Sequence, residues 1–438
     1  MTAVSPARRR VVLAALRRGT VPEAGLDLLA VGLDRFASTF DAELAGCVAG
    51  SAAFTAVRGE YGAGKTFLAR WLGERAKARG MAVAEVQISE TETPLHRLET
   101  VYRRLCERLA TATASPSALR PVLDSWLYAL EEDVLAEGAV TGEDSGALGE
   151  AVDALLERRL AALTRTTPAY AAGLRGYRRA VAGGDVDTAD GLAAWLAGQP
   201  HVAASALRAA GVKGDLDHFL ALGFLQGLLI VLRDAGHPGL LLVLDEGETL
   251  QRVRSDARAK ALNALRQLID EVDGGRFPGL YLLVTGTPAF FDGRQGVQLL
   301  PPLAQRLHTD FNADARFDNP RAPQIRLLGF DHDRLVELGA RVRDLFASGA
   351  DAPERIRSVV NDAYLSTLAS AVAGGLGGRV GVAPRLFLRK LVADVLDRVE
   401  QFSDFDPRRH YALTVDDTEL TEVERQAARS PDDVDIDV

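Results

Sequence analysis

The sequence predicts an α/β protein: a doubly wound, parallel five-stranded sheet, a large helical insertion within it and a C-terminal helical lid. Three observations predict this class. Five short apolar segments are separated by helical patterns, the alternation that produces a parallel sheet covered on both faces. The first is followed at once by a Gly-rich turn and an amphipathic helix, the arrangement that puts a ligand at the carboxyl ends of the strands. After Leu328 the strand pattern stops and helical periodicity takes over. With 438 residues, 47% hydrophobic and 25% charged, the chain is long enough for two or three packed units and too apolar for global disorder.

Taken in order, residues 1–21 form a basic arm: Arg8, Arg9, Arg10, Arg17 and Arg18 have no acid among them. The first part of the α/β core, 22–112, holds the strand Phe54–Arg58, the helix TFLARWLGERAKA and a second strand, Ala82–Ile88. From Ser89 to Leu240 there is no strand pattern. Amphipathic blocks (Val122–Ala136, Leu148–Leu163, Thr188–Leu196) make 113–214 a helical insertion, with 9 basic and 13 acidic residues. The second part of the core, 215–329, carries the apolar run Phe219–Leu232 and the strands Leu240–Leu244, Leu280–Thr285 and Gln324–Leu328. That run is 14 residues, short of the roughly 20 needed to cross a bilayer, and reads as a buried helix. The lid, 330–412, should contain helices at Asp331–Phe346 (Asp331 as N-cap), Pro353–Ala371 and, after a break at Gly374–Gly378, Pro384–Phe402. In the acidic tail, 413–438, residues 415–438 carry nine acids against Arg425 and Arg429, so that they hold most of the net charge of −9. The near-neutral body and basic arm leave a nucleic-acid partner open, since binding follows local patches rather than net charge.

Several classes fall away. Two cysteines, Cys47 and Cys106, cannot build a disulfide framework or a Cys-rich zinc site, and a reducing cytoplasm is the natural compartment. No secretory leader is evident, the seven histidines lack metal-ligand spacing, and no repeat suggests a solenoid. Leu174–Arg179, LRGYRR, mixes arginine with an aromatic and could touch nucleic acid, but a solvated helix face is the better reading.

The chemistry concentrates in GEYGAGKT, Gly59–Thr66, a match to G-x-x-x-x-G-K-[ST] with the strand before it and the helix after it that this motif needs. Gly59, Gly62 and Gly64 let the backbone fold tightly and, with Ala63 and Phe67 beside them, aim N–H groups at phosphate oxygens. The dipole of the helix opening near Lys65 adds to the attraction. Lys65 would reach the β- and γ-phosphates, and Thr66 would place its hydroxyl on Mg²⁺. LLLVLDE supplies the second half: Asp245 for the Mg²⁺ shell and Glu246 to polarise the attacking water, which argues for hydrolysis over mere binding. LLVTGTP ends a further strand with Thr285, whose hydroxyl could bond the γ-phosphate or the water; Thr287 competes for this role, and a plain turn would favour the same residues. Arg306 lies where an arginine finger would project into a neighbouring subunit, and Arg385 opens a late helix from which it could sense nucleotide, with Arg389 one turn away. For each arginine a solvated side chain is the competing reading.

Phosphate loop, Asp-Glu strand, Thr-tipped strand and downstream arginines together resemble an AAA+ ATPase. AVGLDR, Ala30–Arg35, looks like the adenine-side segment of its initiator branch. More narrowly, RRGTVPEAGLDLLAVGLDR, RGEYGAGKTFLARWL, LLLVLDEGETL and LLVTGTPAFFDGRQGVQLLPPLAQRLHTDF are similar to the BREX-system ATP-binding protein D (BrxD) family of bacterial phage defence. The resemblance implies AAA+ architecture, ATP and Mg²⁺ as cofactors, ATP hydrolysis and a homo-oligomeric ring. It also implies a helicase-like partner and work on DNA. About 36 residues follow Phe402, too few for the winged helix of replication initiators, so any double-stranded DNA would be held by backbone contacts. Two other readings stand beside a remodelling ATPase: an ATP-gated signalling or assembly switch with slow hydrolysis, and a nucleotide-independent DNA scaffold.

Overall fold

A computed structural model describes residues 4–138, 145–375 and 384–413. Five parallel strands, β1 (Ala53–Arg58), β2 (Ala82–Gln87), β3 (Leu240–Asp245), β4 (Leu280–Gly286) and β5 (Gln324–Arg326), form one sheet in the order β2-β3-β4-β1-β5. All five segments read as strands from the sequence are strands, with ends shifted by a residue or two. β3 and β4 are buried at every position, as strands covered on both faces must be.

Side chains alternate across the sheet with the two-residue period of a pleated strand. Leu240, Leu242 and Leu244 of β3 and Leu280, Leu282 and Val284 of β4 point into one apolar cluster, whereas Leu241, Val243, Tyr281 and Leu283 point into another. The second cluster is closed by α2 (Asp34–Val48) and α3 (Lys65–Ala78), through Phe40, Leu44, Leu68 and Leu72. The first is closed by α4 (Leu98–Arg108), α10 (His218–Asp234) and α11 (Ser255–Asp273). Between α4 and α10 run five helices: α5 (Leu119–Ala136), α6 (Ser145–Thr166), α7 (Pro168–Ala182), α8 (Val186–Leu196) and α9 (Ala204–Ala210). Trp126 of α5, Tyr177 of α7 and Trp195 of α8 are buried in the same cluster as the sheet face, so this helical stretch shares its core with the sheet. α10 is the helix expected from the apolar run, and Phe224 in its middle stacks edge-on against Tyr102, Tyr170 and Trp195.

After β4 come the short helices α12 (Pro288–Asp292) and α13 (Pro301–Leu307), and after β5 a separate helical cluster. It contains α14 (His332–Ala347), α15 (Pro353–Val359), α16 (Asp362–Gly375) and α17 (Pro384–Arg389). A π-helical turn, Lys390–Leu396, then leads into α18 (Asp397–Gln401) and the short α19 (Pro407–His410). Asp331 caps α14 as predicted, its carboxylate accepting from the Arg334 N–H at 2.9 Å. The single helix expected over Pro353–Ala371 is two: Asn361 accepts from the Tyr364 N–H at 3.0 Å and starts a new helix after Val360.

The first helix, α1 (Pro6–Arg18), also belongs to this last cluster: Val12, Leu13 and Leu16 are buried against α14–α18. The segment expected as a basic arm is thus a packed element. Arg17 forms paired hydrogen bonds of 2.7 Å with Asp397, and Arg8 pairs with Asp27, while Arg10 and Arg18 face solvent. In the LRGYRR segment Tyr177 and Arg178 are buried, Arg175 pairs with Glu157 and Arg179 reaches the Ala209 carbonyl, which removes it as a solvated or nucleic-acid-facing stripe. Of the break expected at Gly374–Gly378, the first two residues are the end of α16, and 376–378 lie outside the described residues, as do the acidic residues 414–438.

Candidate nucleotide site

The Gly59–Thr66 loop joins the carboxyl end of β1 to the first turn of α3. Gly62 (φ 77°) and Gly64 (φ 93°) hold left-handed conformations that a side chain would strain, and Gly64 leads directly into Lys65 at the start of α3. Gly59 is needed for a different reason: a Cβ there would meet Ala63 at 3.1 Å and Leu327 at 3.2 Å. Phe67, one residue past Thr66, is half-buried and packs against both the α2/α3 cluster and the cluster of α14–α18.

Lys65 is 8% exposed. Its Nζ donates to the Gly59 carbonyl at 3.0 Å and to that of Glu60 at 3.4 Å, with the Tyr61 ring centroid at 5.2 Å. Next to it, the Thr66 hydroxyl donates to Asp245 Oδ2 at 3.0 Å, tying α3 to the tip of β3. Asp245 is 4% exposed and takes a second hydroxyl, that of Thr285 on β4, on its other oxygen. The chain turns sharply after Asp245: Glu246 has φ 62°, a left-handed conformation uncommon for a residue with a side chain and costing of order 1–3 kcal/mol. Two hydrogen bonds from its N–H hold it there, to Asp245 Oδ1 at 3.1 Å and to Thr285 Oγ1 at 3.2 Å. A Cβ on the following Gly247 would lie 2.8 Å from the Thr285 carbonyl, so only glycine lets the turn sit this close to β4. Residues from three separate stretches of sequence (59–66, 245–246 and 285) therefore meet at the carboxyl ends of β1, β3 and β4.

The two threonines of LLVTGTP separate cleanly. Thr285 bonds Asp245, whereas Thr287 caps α12, accepting from the Phe290 N–H at 3.4 Å. Arg306 does not join the cluster within the chain. Arg306 on α13 turns to α11, with Nη1 2.6 Å from Asp273 Oδ2 and Nε 2.7 Å from Asp270 Oδ1, the latter without hydrogen-bond alignment. This pairing lines a cavity of about 520 Å³ together with Arg266 and Gln305, beside Phe54 at the opposite, amino end of β1. Arg385 and Arg389 pack on the end of α1, since a Cβ on Gly19 would lie 3.4 Å from the Arg385 guanidinium and 3.4 Å from Arg389 Cδ. Of the Ala30–Arg35 segment, the Ala30 carbonyl accepts from Arg341 of α14 at 3.1 Å and Arg35 donates to the Arg326 carbonyl at 2.6 Å, which ties the segment to both α14 and β5.

One acid at this site escaped the sequence reading. Glu248 is 6% exposed, its Oε1 lies 3.8 Å from Lys65 Nζ, and its Oε2 is buried with no hydrogen-bond partner. Burial pushes its pKa above the ordinary glutamate range, with the Lys65 charge opposing. Burial also pushes the Tyr61 hydroxyl up, reinforced by the Glu248 charge. The available signal was an acid three residues past Asp245, which the turn after β3 folds back toward the loop. Among the described residues no group of His, Cys, Asp and Glu has metal-site geometry of its own, and no helix is long and apolar enough to cross a membrane.

A family model described as BREX system ATP-binding protein BrxC/D matches residues 4–415, nearly the whole chain, and the chain belongs to that family. No curated protein matches it.

Proposed function

We propose that this chain is an ATP-hydrolysing P-loop protein of the AAA+ type that serves phage defence, working as a cytoplasmic oligomer on DNA together with a helicase-like partner. In this reading residues 22–112 and 215–329 are the nucleotide-binding core, 113–214 an insertion and 330–412 the lid. The ATP-binding family supports the nucleotide, and the strand order β2-β3-β4-β1-β5 supports the P-loop architecture. The observation that carries the site is the hydrogen-bonded chain Thr66–Asp245–Thr285 beside Lys65. A chance Gly-rich turn gives no reason for an acid and two hydroxyls from distant segments to converge on it.

The oxygens of Thr66 and Asp245, 3.0 Å apart, are the hard donors that Mg²⁺ takes, and they are the pair that would hold it. Bound there, the ion would offset charge on the phosphates. The loop N–H groups and Lys65 would then bind and orient the triphosphate, and Glu246 would draw a proton from the attacking water. Thr285, already bonded to Asp245 and to the Glu246 N–H, would fix the orientation of both acids. Phe67, touching both the core and the helical cluster, gives nucleotide state a route to the lid, which the alternative reading as an ATP-gated switch would also use. DNA contact would fall to exposed arginines such as Arg10 and Arg18 and be steeply salt-dependent.

ATPase assays test the reading. Lys65→Ala should abolish nucleotide binding, and Glu246→Gln should bind ATP normally while losing about 10²-fold or more in turnover. Full activity in either variant would refute the assignment. A Glu246→Gln chain that is permanently active in defence would favour the switch.

A further inference from the structure

We propose that Glu248 is the resident counter-ion of Lys65, which nucleotide phosphate must displace, so that this side chain sets the affinity of the site. The inference rests on the reading of residues 59–66 as a nucleotide loop. Both groups are nearly inaccessible, at 6% and 8% exposure, and 3.8 Å apart. The other polar contacts of Lys65 are two neutral carbonyls of its own loop, at 3.0 and 3.4 Å, so Glu248 supplies the negative charge. A charge removed from water needs such a partner. Glu248 itself is incompletely served, because Oε2 is buried without a hydrogen bond.

A triphosphate entering the loop competes for the same ammonium. Once Lys65 turns to the phosphates, the Glu248 carboxylate loses its partner and faces added negative charge with Asp245 and Glu246 close behind it. The pairing therefore stabilises the empty site and opposes the filled one. Glu248→Gln, which keeps the shape and removes the charge, should act on both sides of the equilibrium in one direction. It leaves Lys65 without a counter-ion in the empty protein, and it relieves repulsion in the loaded one.

The test is titration of the full chain with a non-hydrolysable ATP analogue and with ADP, each with Mg²⁺, by calorimetry. Glu248→Gln should bind the ATP analogue roughly tenfold tighter or more than wild type, a coupling of ordinary size, with a smaller gain for ADP, which carries less charge. Its melting temperature without nucleotide should fall, and its rise on adding the analogue should exceed that of wild type. A damaged fold cannot produce tighter binding, so this outcome separates the proposal from a merely structural role. Should Glu248→Gln fail to fold, Glu248→Asp, which draws the carboxylate back from Lys65, should shift affinity the same way by less. Equal or weaker binding in the folded variant overturns the proposal while leaving the nucleotide site intact. A wild-type chain that takes up no adenine nucleotide overturns the underlying reading, and this inference with it.

Discussion

Thr285 shows how a single side chain can organise a site. Its hydroxyl donates to Asp245 and accepts from the N–H of Glu246, so one oxygen orients one acid and the backbone of the next. Valine has nearly the same shape and neither bond. Thr285→Val should therefore leave nucleotide affinity within a few-fold of wild type and lower ATP turnover by roughly 10- to 100-fold, measured as kcat against Kd. Equal losses in binding and turnover would mean that the threonine only supports the fold. At this scale the sequence is informative where the chemistry is a local motif: the Gly59–Thr66 loop does join β1 to α3, and the Thr66 hydroxyl lies 3.0 Å from Asp245. It left Thr285 and Thr287 as rivals, because both residue types suit a strand-to-helix turn. Only the register of β4 against β3 shows which hydroxyl reaches the acid and which caps α12. Glu248 is not legible in the sequence for a related reason. Its position depends on the left-handed turn at Glu246, which residue identity does not announce.

Among the elements, the strands were legible from runs of β-branched and aliphatic residues ending in polar tips, and α1 was not. Five arginines in its sequence suggested a solvated arm, yet Val12, Leu13 and Leu16 line one face of the helix and are buried in a cluster whose other members lie past residue 330. A thirteen-residue helix with five arginines shows its apolar stripe only once the partner surface is known. Leu16 is 3% exposed, and Leu16→Ala should cost about 2–5 kcal/mol, read as a lower denaturant midpoint. Arg17→Ala, which breaks a partly exposed ion pair, should cost about 1 kcal/mol. If both changes have the same small effect, α1 does not contribute to that core. The helix split at Asn361 belongs here too: the apolar periodicity continues through it, and the cap decides the boundary.

For the whole molecule, composition and motif order gave the α/β class and the five parallel strands, and the lateral order of those strands came only with the structure. The same is true of Arg306. Its two ion pairs with α11 are partly exposed and contribute only about 1 kcal/mol each, little resistance to re-pairing with a neighbouring subunit's phosphates. If it acts in that way, ATPase activity per molecule should rise with protein concentration, and Arg306→Ala should lower it by about 10³-fold at every concentration. Mixing Arg306→Ala with the inactive Lys65→Ala chain should restore activity, because a mixed assembly pairs an intact loop with an intact arginine. Failure to complement would mean that the residue serves its own chain.

The burial of α1 against α14–α18 has a further consequence, for biosynthesis. The helix leaves the ribosome ahead of its partners, and the surface that covers Val12 and Leu16 is completed only when residues near 399 emerge. Until then a strongly cationic, half-greasy segment stays unprotected through most of translation, at about 5–20 residues per second. Nascent chains of this protein should thus depend on holding chaperones at this helix, whereas the sheet, whose last strand closes at Arg326, can already be in place.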